Sequence, residues 1–98
     1  MPPVDIAARF GQNLRRCRKR ADLSQEELSV RASLHRTEIS HLERGQRVAR
    51  IDTLVKLRGT LGVSADELLE GMGWDPGGTR IGQFNAGDAA AGEPATET

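Results

Sequence analysis

Ninety-eight residues, fourteen Lys and Arg against fourteen Asp and Glu, are enough for one small domain and too few for two, and a core of that size gains from oligomerisation. The zero net charge argues against a nucleic-acid partner, because affinity for DNA rests on neutralised phosphates. The average conceals an asymmetry: residues 1–70 hold thirteen basic against ten acidic side chains and residues 71–98 hold one against four, so a basic body with an acidic tail points back towards DNA.

The chain opens Met-Pro-Pro-Val-Asp, without the basic-then-apolar layout of a signal peptide, and no apolar run reaches the length of a membrane span; a soluble cytoplasmic protein is expected. Ile6, Phe10, Leu14 and Cys17 recur at helical spacing, which predicts a first helix from about Asp5 to Arg20 with the Asp5 charge near its N-terminus. Arg15, Arg16, Arg18, Lys19 and Arg20 crowd its end, where they complement the helix dipole from a solvated face or serve DNA. Cys17 lies on the apolar stripe and reads as a small core residue. A lone cysteine forms no internal disulfide, and no Cys/His cluster has metal-ligand spacing.

Ser24 with Glu27 forms a capping box for a short second helix, on which Leu28 and Ala32 share one face. After a break at Ser33-Leu34, a third helix starting at His35 or Arg36 turns Ile39 and Leu42 inward and stops at Gly45, a residue that tolerates the left-handed conformation of a helix end. Its outer face carries Arg36, Thr37, Ser40, His41 and Arg44, a set able to hydrogen-bond base edges and phosphates. Two short helices at a sharp turn are the arrangement that pushes one of them into the major groove of DNA.

Gln46 to Arg50 reads as a loop with two arginines; a fourth helix, about Asp52 to Leu61, buries Leu54, Leu57 and Leu61, with Gly59 weakening its interior by roughly 1 kcal/mol. Gly62 ends it. A second capping box, Ser64 with Glu67, opens a short fifth helix that buries Leu68 and Leu69 and ends near Gly71. Composition then changes to Gly, Ala, Thr and Pro. Trp74, Ile81 and Phe84 do not suit a solvated tail, since each forgoes ~1.5–3 kcal/mol of burial. A turn at Asp75-Pro76-Gly77-Gly78, an extended run from Thr79 to Asn85 and disorder from Ala86 to Thr98 are expected.

The blocks Leu-Arg-Arg-Cys-Arg-Lys-Arg-Ala-Asp-Leu-Ser-Gln-Glu-Glu-Leu, Ile-Ser-His-Leu-Glu-Arg-Gly and Leu-Gly-Val-Ser-Ala-Asp-Glu-Leu-Leu, in that order between Phe10 and Leu69, resemble the helix-turn-helix domains of the phage repressor and Cro proteins, the xenobiotic-response-element family. The resemblance implies an all-α fold: a compact five-helix repressor-like domain over residues 5–71, followed by a tail, 72–98, whose extended part is 74–85. It implies a transcriptional regulator, a repressor that binds a palindromic operator in double-stranded DNA as a homodimer. It assigns base reading to Arg36, Thr37 and His41, with Ser40 on the same face, and an inward pair between Glu43 and Arg18 that holds Arg18 beside a phosphate. Gln25, Arg44 and Arg47 are the remaining phosphate candidates. The sequence departs from the family at His35, where Ser or Thr is usual, at Ala49-Arg50, where Pro-Ser is common, and at Gly59. Glu38 either accepts from a cytosine amino group or points sideways to Arg31 or Arg36; the second is favoured.

Trp74, Ile81 and Phe84 are the large apolar groups left without a core position, and are assigned to dimerisation, with the tail left open to a protein partner. No triad, Gly-rich phosphate loop or nucleotide pocket is legible, so neither an enzyme nor a cofactor is expected. The competing reading is a helix-turn-helix used to hold a protein, as an antitoxin or adaptor would. Gln25, Arg36, His41 and Arg44 speak against it, because such a module has no need of phosphate-clamping groups.

Overall fold

Asp5 starts the first helix by accepting the Ala7 and Ala8 N–H groups on its carboxylate, both at 3.1 Å. The computed structural model describes residues 3–87. Helix α1 (Ile6–Arg20) turns Phe10, Leu14 and Cys17 into the core, while Ile6 stays half-buried at its open end. Helix α2 (Gln25–Ala32) begins with the full capping box: Ser24 Oγ accepts from the Glu27 N–H, and the Glu27 carboxylate accepts from the Ser24 N–H at 2.8 Å. Those bonds favour the charged form and hold the Glu27 carboxyl below its ordinary range.

The turn after α2 rests on Ser33, whose left-handed φ of 57° is unusual outside glycine. It redirects the chain within two residues, so that helix α3 (Arg36–Glu43) buries Ile39 and Leu42 completely against α1 and α2. Arg44 caps α3, and Gly45 follows at φ +71° with Ala8 against it. Gly11 sets how close α1 and α3 come: a Cβ there would collide with the Leu42 carbonyl oxygen and stand 2.6 Å from that of Glu43. Backbone cannot yield as a flexible side chain does, so the C-terminal end of α3 is seated directly on α1.

At that closest approach Arg18 meets Glu43. The guanidinium donates from Nε to Glu43 Oε2 at 2.6 Å and from Nη2 to Oε1 at 3.0 Å, and its Nη1 holds the Leu23 carbonyl at 2.8 Å. The two side chains are only 10 % and 2 % exposed. The Glu43 hydrogen bond raises the Arg18 guanidinium pKa further, so the charge is permanent.

Helix α4 (Ile51–Leu61) starts one residue before the predicted position, from an Arg50 N-cap that makes no side-chain bond. It buries Thr53 and Leu57 fully, whereas Leu54 and Leu61 are half-buried. One turn, α5 (Ala65–Leu68), repeats the capping-box device with Ser64 and Glu67. Leu68 is buried, but Leu69 is 40 % exposed, because a single turn has only one inward position. Asn13, buried on α1, closes the end of α5 by donating to the carbonyls of Leu68 at 2.9 Å and Glu70 at 2.8 Å. Arg16 with Glu70 and Arg20 with Glu67 join the same two elements at the surface.

The helical body carries an addition that the all-α expectation did not contain. Strands β1 (Gly73–Asp75) and β2 (Gln83–Asn85) pair antiparallel, with Trp74 opposite Phe84 and ring centroids 4.9 Å apart, edge to face. Of the run expected to be extended from Thr79 to Asn85, only Gln83–Asn85 forms the return strand of a hairpin; the predicted turn begins on Asp75, the last residue of β1, and continues into the connection. The Val4 N–H donates to the Phe84 carbonyl at 3.3 Å, which ties the hairpin to the start of α1. The disorder expected for the tail falls, from Asp88 on, outside the described residues.

Breaking a buried ion pair strands the other charge, at a cost of about 3–5 kcal/mol, whereas replacing both partners with apolar groups is often neutral. Glu43→Gln is therefore expected to lower the melting temperature by more than 10 °C, at roughly 4–8 °C per kcal/mol for a domain this size. The double variant Arg18→Met/Glu43→Leu should recover most of that loss. Equal melting temperatures for wild type and Glu43→Gln would show that the pair contributes nothing to the fold.

Candidate nucleic-acid interface

Helix α3 separates its side chains by period. Ile39 and Leu42 fill the core, and Arg36, Thr37, Ser40, His41 and Arg44 fall on the opposite side at spacings of one, three and four. Arg36, Thr37 and Arg44 are exposed, while Ser40 and His41 are half-buried along the edge of that face. The His41 Nδ1 is buried without a hydrogen-bond partner, so this ring has one edge committed to the protein side. His35 occupies the N-cap without a side-chain bond, which leaves the first turn of α3 held only by backbone and by the charge of Glu38.

Gln25 is the first residue of α2 and is half-buried, its Nε2 donating to Glu43 Oε1 at 3.1 Å. Glu43 thereby binds three elements: the guanidinium of α1, the amide of α2 and its own helix α3. The N–H groups of Gln25 and Glu26, in the first turn of α2, have no acceptor inside the helix, which is the geometry that receives an anion. The sequence reading offered Gln25 as a phosphate candidate and did not include its link to Glu43.

Arg18 makes the expected pair with Glu43 and lies mostly inside the protein. The sequence reading placed it beside a phosphate; in the structure each of its three nitrogens donates to Glu43 or the Leu23 carbonyl, and the residue is 8 % exposed. Its charge is spent inside the protein. Glu38 also differs from expectation: its carboxylate accepts from Arg47 Nη1 at 2.9 Å, rather than from Arg31 or Arg36. The loop after α3 folds back beside the first turn of that helix, and an open cleft of about 560 Å³ separates α3 from the start of α4, with Thr37, Glu38, Arg47, Arg50, Thr53 and Lys56 among its walls. Arg50 reaches Asp52 at 3.4 Å with both side chains mostly exposed, a weak pair.

The three residues that the sequence reading assigned to dimerisation, Trp74, Ile81 and Phe84, lie on the hairpin and its connection. Ile81 is 92 % exposed, and Trp74 and Phe84 cover only part of each other. They are not the sole unplaced apolar groups, as the sequence suggested: Val48, Ile51 and Val55 are more than 60 % exposed and Leu69 is 40 % exposed. Ile51 and Val55 are four apart on α4, a second apolar stripe beside the buried one, and that spacing was the available signal. A shallow apolar groove of about 80 Å³ runs past Ile6, Phe10, Val48, Leu54, Leu69 and Met72. Among the described residues, no group of three or more His, Cys, Asp or Glu could hold a metal ion, and no helix is long and apolar enough to cross a membrane.

Comparison with known proteins places these features. The helix-turn-helix family matches residues 14–68, from the middle of α1 to the end of α5. The control protein C.BamHI of Bacillus amyloliquefaciens is 40% identical over 67 residues, covering 67% of this chain and 83% of that protein. The HTH-type transcriptional regulator y4dJ of Sinorhizobium fredii is 38% identical over 77 residues, covering 79% of this chain and 100% of that protein. Among solved structures, the restriction-modification controller protein C.AhdI from Aeromonas hydrophila superposes with a TM-score of 0.61 at 37% identity, covering 63% of this chain and 94% of that one. With the family matched over more than half of its length, this chain belongs to the Cro/C1-type helix-turn-helix proteins and is a DNA-binding transcriptional regulator rather than an enzyme.

Proposed function

We propose that the protein is a sequence-specific cytoplasmic repressor that lays α3 in the major groove of a palindromic operator as a two-fold dimer. The observation that carries this reading is the division of α3 into a buried face locked to α1 and α2 and an outer face of hydrogen-bonding side chains. In it, Arg36 addresses guanine through two hydrogen bonds, Thr37 meets a thymine methyl, and Ser40 and His41 read the adjoining edge. Arg44, the N-terminus of α2 with Gln25, and Arg47 hold phosphates, while Arg18 acts only through Glu43.

One recognition helix covers a few base pairs, so two copies spaced by about one helical turn, ~10–10.5 bp, are needed to specify a site. The face proposed for that pairing is the exposed apolar strip of Val48, Ile51, Val55 and Leu69, to which Trp74, Ile81 and Phe84 add from the hairpin. Apolar groups left in water on this scale are natural at an interface. A second reading, a module that holds another protein, is favoured only by the hairpin, whose aromatic pair stands clear of the helical core.

On a duplex selected by the wild-type protein from a randomised pool, Arg36→Ala should cost ~1–3 kcal/mol and relax preference at one position, whereas Arg44→Ala should weaken every duplex alike and reduce the salt slope by about 1. Equal loss on selected and unselected duplexes for both variants would contradict the assignment. Assembly has its own readout: Val55→Asp should shift the sedimenting mass from dimer to monomer and weaken binding to a palindromic duplex. A monomeric wild type, or a Val55→Asp protein still dimeric, removes α4 from the interface.

A further inference from the structure

The geometry points to Glu38 as a specificity-determining residue that acts by holding Arg47 away from DNA until the recognition helix is seated. The inference rests on the DNA-binding reading above. Glu38 lies in the first turn of α3, where the helix dipole favours a negative charge, and its carboxylate is 23 % exposed. Arg47, on the loop that follows α3, is 54 % exposed and bonds that carboxylate at 2.9 Å. Arg47 lines one cleft with Thr37 and Glu38, so the guanidinium that Glu38 holds lies beside the start of the face proposed to meet DNA.

Half-exposed ion pairs are weak, so the exchange of carboxylate for phosphate is finely balanced. An unselected duplex offers phosphates without base contacts to fix their register, and has nothing to offset the carboxylate left bare beside a polyanion. A selected duplex, seated by Arg36 and its neighbours, presents one phosphate at a fixed place, and the guanidinium transfers to it as an equivalent charge-assisted donor. Arg50, weakly paired with Asp52, and Lys56, donating to the Ser33 carbonyl at 3.4 Å, line the same cleft and supply positive charge near Glu38 once Arg47 has left. Arg47 then counts as a phosphate contact on the right sequence and not on the wrong one, which widens discrimination without a base contact.

Each phosphate contact adds about 0.9 to the slope of log affinity against log salt on duplex DNA, so that slope reports where Arg47 is bonded. Wild type, Glu38→Gln, Arg47→Gln and the double variant are titrated with salt on two probes, a duplex selected by the wild-type protein and the unselected pool. Glu38→Gln should bind the unselected pool several-fold more tightly with a slope steeper by about 0.9, and keep its slope on the selected duplex. Arg47→Gln should show the reverse, a slope shallower by about 0.9 on the selected duplex alone. The double variant should match the salt slope of Arg47→Gln on the unselected pool, because neither has the guanidinium to give. If Arg47→Gln alters both probes equally, or Glu38→Gln leaves the unselected slope in place, Glu38 only braces the loop and the inference fails. A wild-type protein that binds neither probe overturns the DNA-binding reading together with this one.

Discussion

Glu43 is the residue on which the recognition surface depends, because one carboxylate answers to three helices. It accepts two hydrogen bonds from Arg18 of α1 and one from Gln25 of α2 while belonging to α3. Burying both ions carries a desolvation cost that Coulomb attraction repays only when the remaining donors are satisfied, and here the Leu23 carbonyl takes the guanidinium nitrogen that Glu43 does not. The gain is less in raw stability than in geometry. With Gly11 allowing backbone contact at the same place, α3 can neither roll nor slide relative to α2 without stranding a buried charge. By contrast, Arg16–Glu70 and Arg20–Glu67 lie at the surface, where such pairs contribute about 0–1 kcal/mol.

This use of charge also explains how a chain of zero net charge serves DNA. Arg16, Arg18, Arg20, Arg47 and Arg50 each have an acidic partner within the protein. Five arginines are thus balanced inside the protein by five carboxylates, while the basic excess of residues 1–70 stays on other side chains, Arg36 and Arg44 on the outer face of α3 among them. Each guanidinium held by a carboxylate is one fewer for phosphates at large, so on the DNA-binding reading more of the discrimination falls to base contacts and to phosphates met in the right register.

Much of this was legible in the sequence because short-range rules govern it. Ser24 with Glu27 and Ser64 with Glu67 mark helix starts through bonds that span three residues, and Phe10, Leu14, Cys17, Ile39 and Leu42 mark inner faces through helical period. What escaped depends on contacts between distant segments. Asn13 looks like any polar residue until α5 brings the carbonyls of Leu68 and Glu70 to it. Glu38 looked free to choose among nearby arginines on its own helix and α2, but the loop delivers Arg47 instead. Leu54 and Leu57 attracted the inward reading of α4 and hid the neighbouring stripe of Ile51 and Val55. The hairpin depends on Trp74 finding Phe84 ten residues away across a Gly-rich connection, a pairing that no local period announces.

On the proposed reading the surface organised by Glu43, and no other, meets DNA. Backbone amide shifts of the wild-type protein, followed by NMR as a selected duplex is added, test it directly. The changes should concentrate at Gln25 and Glu26, along Arg36 to Arg44, and through Arg47. A map centred instead on the Trp74–Phe84 hairpin, with α3 unperturbed, would contradict the claim and make that hairpin the working surface of the protein.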